Sequence, residues 1–482
     1  MRPEPTVNLA AALSVVPNAM RALESIWQSA GLSSGALQHL TLTGSDPVLP
    51  CSFAVGTAAQ AALGAAALVA TEIGHHRNGL RQQVRVDMRH AALECFGRFS
   101  VDGRTPELWD KLAGLYGCGV ETADGWVRLH TNFAHHRDGV LRLLGLPAGP
   151  DTPRDSVTSA LKHWRAFDFE DAAANAGLVV AALRSFVEWD LHPHSAAVAS
   201  RPLVDIEKIG DAPPLALPAV PRDARPLHGM RVLDLTRILA GPVAGRTLAA
   251  YGAKVMLVNA PHLPNIDAII DTSRGKLSAL ADLRDTAGRD GLRTLLRDAH
   301  VFIQGYRPGA LAAFGFAPAD VAQIRPGIVM VSLSAYGEDG PWAGRRGFDS
   351  LVQTATGFNH AEAQAAGSAQ PKALPMQIVD IASGYLMAFG AQAALLRQQR
   401  DGGTWHVRVS LARTALWLRG LGRLANGFDA PAAGFTGLME TQSSGYGELT
   451  AMRHAAEFSH TPPRWVRPST PPGTHALAWP LV

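Results

Sequence analysis

The sequence predicts an α/β protein: a parallel sheet covered by helices, joined to a smaller α+β domain. Three observations lead there. Beyond residue 228, short continuous apolar runs alternate with helical patterns, as in βαβ units. Just before it, "DAPPLALPAVPRDARPL" (211–227) holds five prolines and reads as a linker. And 482 residues are too many for one ordinary core, which suggests two to four domains.

Residues 1–50 read as an N-terminal helical segment ending in the turn "TGSDPVLP". Residues 51–210 begin with a small-residue helix over 53–76, a turn at Asn78-Gly79 and a short alternating strand. A helical pattern then runs to about residue 116. "VETADGWVRLHTNF" (120–133) reads as a hairpin around Asp124-Gly125, and 135–192 as further helices. In 228–425, "MRVLDLT", "KVMLVNAP", "HVFIQGY" and "GIVMVSLSAYG" are runs of the buried-strand kind. "LRTLLRDA" and "PADVAQIRP" are helices between them. Residues 426–482 are rich in Pro, Gly and His and read as an irregular tail packed on the body.

The chain also repeats itself. A shift of 323 positions aligns Arg77-Asn78-Gly79 with Arg400-Asp401-Gly402 and Val84-Arg85-Val86 with Val407-Arg408-Val409. It also aligns Ala92-Leu93 with Ala415-Leu416, in the same ungapped register. Both copies run helix, Gly turn, strand, helix. The same shift sets Thr57 opposite Asp380.

Composition excludes several classes. Net charge is +3, from 44 basic and 41 acidic residues, with no basic stripe carrying aromatics, so nucleic-acid binding has no support. Hydrophobic content of 47% and charged content of 18% are a soluble globular balance. Cys51, Cys95 and Cys118 have neither metal nor disulfide spacing, which points to a reducing cytoplasm. Asn18 and Arg21 interrupt the apolar N-terminal patch, unlike a signal peptide, and no run reaches the ~18 apolar residues of a membrane span. The pairs His75-His76 and His135-His136 lack a third spaced ligand, so no metal is expected.

A βαβ unit raises the question of a dinucleotide. The first loop, "TRILAGPVAGRTLA", has Gly241 and Gly245 but not G-x-G-x-x-G, and Pro242 interrupts it. The second strand ends in Asn259, not the acidic residue that binds a ribose. The helix after this loop can still offer amides to an anion, or its glycines simply pack helix on sheet.

Five blocks then follow one order: "GMRVLDLTRILAGPVAGRTLAAYGAKVMLV", "SRGKLSALADLR", "GYRPGAL", "YGEDGPWAGRRGFDSLVQTATG" and "VDIASGYLMAFGAQAALLRQQRDGGTWHVRVSL". Over about 229–420 they resemble the family III CoA-transferases, of the formyl-CoA and carnitine CoA-transferase type. "VETADGWVRLHTNFAHHRDGVLRLLGLP" resembles that family's small-domain start, and the tail resembles its C-terminal ending. The resemblance implies a fusion. Residues 51–210 are a degenerate partial copy with the small domain, and 228–425 are the Rossmann-like CoA-binding and catalytic domain.

The resemblance makes Asp380 the nucleophile. Its carboxylate attacks an acyl-CoA thioester, giving a mixed anhydride and then an aspartyl thioester, with transfer of CoA to a carboxylic acid. Such chemistry asks for an ionised, exposed carboxylate with oxyanion donors nearby. Read from the residues alone, Asp380 follows Pro375, opens a helix and is equally suited to be a cap. Ile238, Leu239 and Ala240 match the loop along the CoA chain, Lys276 and Arg307 the CoA side, and Tyr336 and Glu338 a loop near the site. Surface or turn roles remain open for these last four. CoA is a substrate, with no tightly bound cofactor, and the implied assembly is a homodimer, interlocked in this family. Two departures stand out: Leu239 replaces a Gln of several transferases, and no Gly-rich run matches the family's cover over the nucleophile.

Two rival readings stay open. The α-methylacyl-CoA racemases pair the aspartate with a His in "GHD"; here "GFDSL" puts Phe348 in its place, and Phe cannot carry a proton. His360, nearby in a stretch that reads as flexible, is a candidate substitute base. A non-catalytic CoA-binding homologue would explain the degenerate copy. Small-residue helices and few charged pocket candidates favour an apolar acyl group.

Overall fold

The structure, a computed structural model, describes residues 17–480. The start of the apolar N-terminal patch lies outside them. At the centre is a seven-stranded sheet. Its order is Lys276–Leu280, Lys254–Asn259, Arg231–Leu235, Val301–Gln304, Val329–Ser334, Thr404–Ser410, Asp205–Gly210. All neighbours are parallel except the last pair. The apolar runs form the inner strands because helices cover both faces. From Arg231–Leu235 the chain winds outward one way; from Val301–Gln304 it winds the other. The strand order therefore reverses between these two. The crevice beyond their carboxyl ends is where open α/β sheets bind ligands.

The strand Lys276–Leu280 is not among those assigned from the sequence. Its first residue is a lysine, buried on an aspartate described below.

Some elements of the structure follow the 323-residue spacing. The helices Val55–Asn78 and Ile378–Asp401 begin and end at positions related by the same 323-residue shift. The helices that follow, Met88–Phe96 and Leu411–Gly420, begin in that register too. Strand Leu40–Thr43 runs parallel to Val84–Asp87, as Val329–Ser334 does to Thr404–Ser410. The two long helices pack on each other, small residues facing small, and Gln392 donates a side-chain hydrogen bond to the Ala66 carbonyl. Ile378–Asp401 is long and apolar enough to cross a membrane, but its apolar window is wholly buried here.

Several boundaries differ from the sequence reading. Leu40–Thr43 ties the 1–50 segment to Val84–Asp87 of the 51–210 segment by strand pairing. The helix begun at Met88 stops at Phe96, because Gly97 turns left-handed at φ 68. The hairpin strands are Gly114–Gly117 and Trp126–Leu129, with 118–125 between them. Asp205–Gly210 belongs to the large sheet. The proline-rich stretch has no regular structure but is pinned: Arg77 donates to the carbonyls of Pro218 and Pro226, and Gln398 to that of Pro213. The tail is not irregular throughout. Met439–Ser444 and Gly447–Met452 form a hairpin with Phe99–Val101, and Ala456–Phe458 pairs with Val84–Asp87.

The smaller α+β unit holds the strands Gly114–Gly117, Trp126–Leu129 and Val180–Ala182 and the helices between. Its core is Leu112, Val127, Leu129, Val140, Leu161 and Phe169 with their neighbours. Trp126–Leu129 also packs against the helix Asp349–Ala355, so this unit reaches the large domain at "GFDSL".

Candidate active site

The Ile238–Ala240 loop leaves the strand at the topological reversal. Ile238 stands at φ 76, a left-handed conformation that a β-branched residue adopts only under constraint, at a cost of about 1–3 kcal/mol. The next helix, Ala240–Ala250, meets the opening of Ile378–Asp401 at Gly384. A Cβ on Gly384 would sit 2.5 Å from the Ala240 carbonyl oxygen, so only glycine permits the approach. Asp380 lies one turn earlier on the same helical face. The fold thus sets Asp380 one helical turn from the contact with the Ile238–Ala240 loop.

The environment of Asp380 departs from the expected exposed carboxylate. The residue is 6% exposed. Its carboxyl makes no hydrogen bond to the described residues, while burial and the Asp349 charge push its pKa well above the usual carboxylate range. Asp349 is fully buried. Its Oδ2 accepts from the Asp380 backbone amide at 2.8 Å and its Oδ1 from the Gln353 side chain at 2.5 Å. Desolvation nevertheless lifts its pKa to about 7. Asp349 is therefore the cap of the helix that carries Asp380. With donors on Asp349 and none on Asp380, the proton that a close buried pair retains sits on Asp380. The sequence analysis missed Asp349 in this role; the signal was the Asp of "GFDSL" beside Phe348.

The smaller unit adds a wall. Arg128 projects from Trp126–Leu129 beside Asp349, its guanidinium 5.1 Å from the Trp109 ring centre. His130 stacks on Phe348 at 4.0 Å and 19°. His136 lies 3.2 Å from Arg346, and Arg237 lies over Phe133. Burial drives the pKa values of His130 and His136 down to about 3, so both rings are neutral. Arg307 is exposed at the carboxyl end of Val301–Gln304, and its charge adds to the burial that lowers the Arg346 pKa.

Other expected residues stand elsewhere. The Lys276 ammonium does not face a ligand: it is buried, bonding Asp234 Oδ2 and the Pro242 carbonyl, each at 2.8 Å. Gly245 is glycine because a Cβ would strike this pair. Tyr336 is buried among Trp342 and His194, its carbonyl accepting from His194 Nε2 at 2.7 Å, and Glu338 pairs with Arg408 at 2.9 Å. His360 lies on the Phe358–Ala365 helix, not in a flexible stretch. Beyond Asn259, at the end of its strand, a cavity of about 340 Å³ opens, walled by Leu263, Asp267 and, from the tail, Tyr446. Asn259 Oδ1 is buried without a hydrogen-bond partner. No cluster of metal-ligating side chains occurs among the described residues.

An α/β sheet with a loop-and-helix crevice at its reversal, and an aspartate buried beside it, defines an α/β protein whose ligand site lies at the switch point of the sheet. Residues 227–424 match the model of CoA-transferase family III. An acyl-CoA transferase of Gibberella moniliformis is 31% identical over 382 residues, covering 71% of this chain and 67% of that one. The chain belongs to CoA-transferase family III. A succinate–glutarate CoA-transferase of Agrobacterium fabrum is 32% identical over 211 residues, covering 40% of this chain and 52% of that protein. Here the chain spans about half its relative's length. The solved structure of a CaiB/BaiF family protein from Brucella suis is 26% identical, with coverages of 47% and 65% and a TM-score of 0.37.

Proposed function

We propose that the chain transfers coenzyme A between an acyl-CoA and a small carboxylic acid, with Asp380 as the nucleophile. The observation carrying this reading is Asp380 itself, set one helical turn from the contact with the Ile238–Ala240 loop and with an unpartnered carboxyl. Its deprotonated oxygen attacks the thioester carbonyl, the C–S bond breaks, and a mixed anhydride and CoA thiolate form. The thiolate then attacks the Asp380 carbonyl, releasing the donor acid and leaving an aspartyl-CoA thioester. The acceptor carboxylate attacks that thioester, expelling the thiolate. Thiolate attack on the acceptor carbonyl yields the new acyl-CoA and frees Asp380. The curated relatives that this chain resembles, named for acyl-CoA and succinate–glutarate transfer, favour this class.

In this reading the nucleotide of CoA lies toward the Asn259 cavity. Arg237, Arg307 and Arg346 answer its phosphates, in place of Lys276. The N-terminal unit is a partial second copy whose Thr57, donating its hydroxyl to Asp46, offers no carboxylate to form the mixed anhydride. The acyl group is apolar in the main, since small and aliphatic residues surround the helix openings.

The test is covalent trapping. Acyl-CoAs of varied chain are incubated with the protein, followed by hydroxylamine or borohydride, and modified residues are mapped by mass spectrometry. Label on Asp380 that needs acyl-CoA, and is absent in Asp380→Ala, supports the reading. CoA binding without label would sink it. Inversion at an α-carbon needs a second acid/base, and Phe348 supplies none; proton exchange in deuterium oxide would reveal that chemistry directly.

A further inference from the structure

We infer that Arg128 and His130 form the carboxylate-binding site of the acceptor acid, so that the smaller unit selects the second substrate. This rests on the transfer reading above, but the binding can be tested apart from it. Arg128 lies on the strand Trp126–Leu129, and His130 follows it directly, its backbone amide donating to the Val179 carbonyl so that the chain stays beside the next strand. The strand packs on the Asp349–Ala355 helix, and Asp349 caps the helix of Asp380. The pair is thus one packed layer from the carboxyl proposed to react.

Both side chains lack protein partners. Arg128 has no hydrogen bond or ion pair among the described residues, and its Nε is buried. Both ring nitrogens of His130 are likewise buried and unpartnered, at 5% exposure of the residue. Leaving one cation and two imidazole nitrogens unbonded in a dry wall is costly unless a ligand completes them. The cost identifies the ligand class. A guanidinium fork takes a carboxylate through two parallel N–H···O bonds, and a neutral imidazole adds a third donor. His130 is held neutral, so it adds a donor without adding charge. Trp109 flattens one side of the guanidinium and Phe348 one side of the imidazole, which fixes both planes. Trp109 is 41% exposed, leaving a mouth to solvent on that side. The arginines at Arg237, Arg307 and Arg346 differ: Arg346 already meets His136, Arg237 meets the Pro264 carbonyl, and Arg307 is open to solvent.

The experiment uses the full chain and two probes, propionate and succinate, with propionamide as the neutral control and inorganic phosphate as a competing anion. Calorimetric titration should show both carboxylates binding and propionamide failing to bind. Arg128→Gln should weaken carboxylate binding about 10–100-fold, and Arg128→Lys less, because it keeps the charge and loses the fork. His130→Phe should weaken it by a smaller factor while keeping the ring stack. In turnover, Arg128→Gln should raise KM for the acceptor acid by the same factor. KM for acyl-CoA, and acyl-CoA-dependent label on Asp380, should not change. No carboxylate binding to the unaltered protein, equal affinity in Arg128→Gln, displacement by phosphate at matched concentration, or a rise in acyl-CoA KM instead would each overturn the assignment. If carboxylates bind through Arg128 while Asp380 is never labelled, the transfer reading fails and the carboxylate site stands.

Discussion

Asp349 and Asp380 are thirty-one residues apart, yet the carboxylate of the first accepts a 2.8 Å hydrogen bond from the backbone amide of the second. One carboxyl holds the helix opening in place; the other is the group that the opening presents. Two buried carboxyls this close do not both ionise readily, and the one without donors keeps the proton. Its release is then coupled to whatever brings positive charge or a new donor into the crevice.

Stability should fall as pH rises through the titration of this pair. Both folded-state pKa values are raised, Asp349 to about 7, above the unfolded value near 3.8. Below the unfolded value the folded form is favoured in full. Between about 4 and 7 the folded state holds protons that the unfolded state has released, so stability declines across that window by on the order of a few kcal/mol. Asp349→Asn or Asp380→Asn should flatten the slope. Thermal melting from pH 4 to 8 measures it; an unchanged slope in both variants counts against the pair.

Asp380→Asn should lower transfer by at least about 10³-fold while leaving the melting temperature equal or higher, because the neutral amide matches the protonated carboxyl and never has to ionise in a buried site. Melting and single-turnover assays read the two effects separately. In the parent enzyme, kcat/KM should rise with pH as the pair loses its proton. A flat profile from pH 5 to 8 would mean that Asp380 is already ionised.

Lys276→Met should destabilise the fold by about 3–5 kcal/mol, since it strands the buried Asp234 carboxylate. Adding Asp234→Asn should recover most of the loss. Denaturant melts decide this. A loss of acyl-CoA affinity with unchanged stability would restore the ligand-facing role that its motif suggested.

Thr57→Val should cost about 1–2 kcal/mol, because the Thr57 hydroxyl donates to Asp46 Oδ2 at 2.7 Å. Thr57→Asp should destabilise further by setting a carboxylate against Asp46, and should gain no second reactive site. Counting trapped acyl groups per chain by intact mass tests this. One label, not two, is the expected result.

What the sequence made legible is what local pattern encodes. The parallel strands show as apolar runs, and the repeat shows because its turn residues and strand alternation keep one spacing. Asp380 shows because five ordered blocks fix its place. Lys276 misled because a lysine in "SRGKLS" suits a CoA-facing or surface charge; the missed signal was Asp234 inside the apolar run "VLDL", which needs a buried cation. Arg128 and His130 look like ordinary residues of an alternating strand. Only tertiary packing, which brings that strand against Phe348 and Asp349 from more than two hundred positions away, gives them meaning.

The cover over the Ile378–Asp401 helix has a practical consequence. The family match begins after the proline-rich stretch, so an expression fragment trimmed to that match would omit Val55–Asn78. It would then translate a long apolar helix with one whole flank bare. Such a fragment invites aggregation or insertion into a bilayer, whatever its enzymatic potential. The cover supplied by Val55–Asn78, outside the span of the family model, hides that flank in the whole chain.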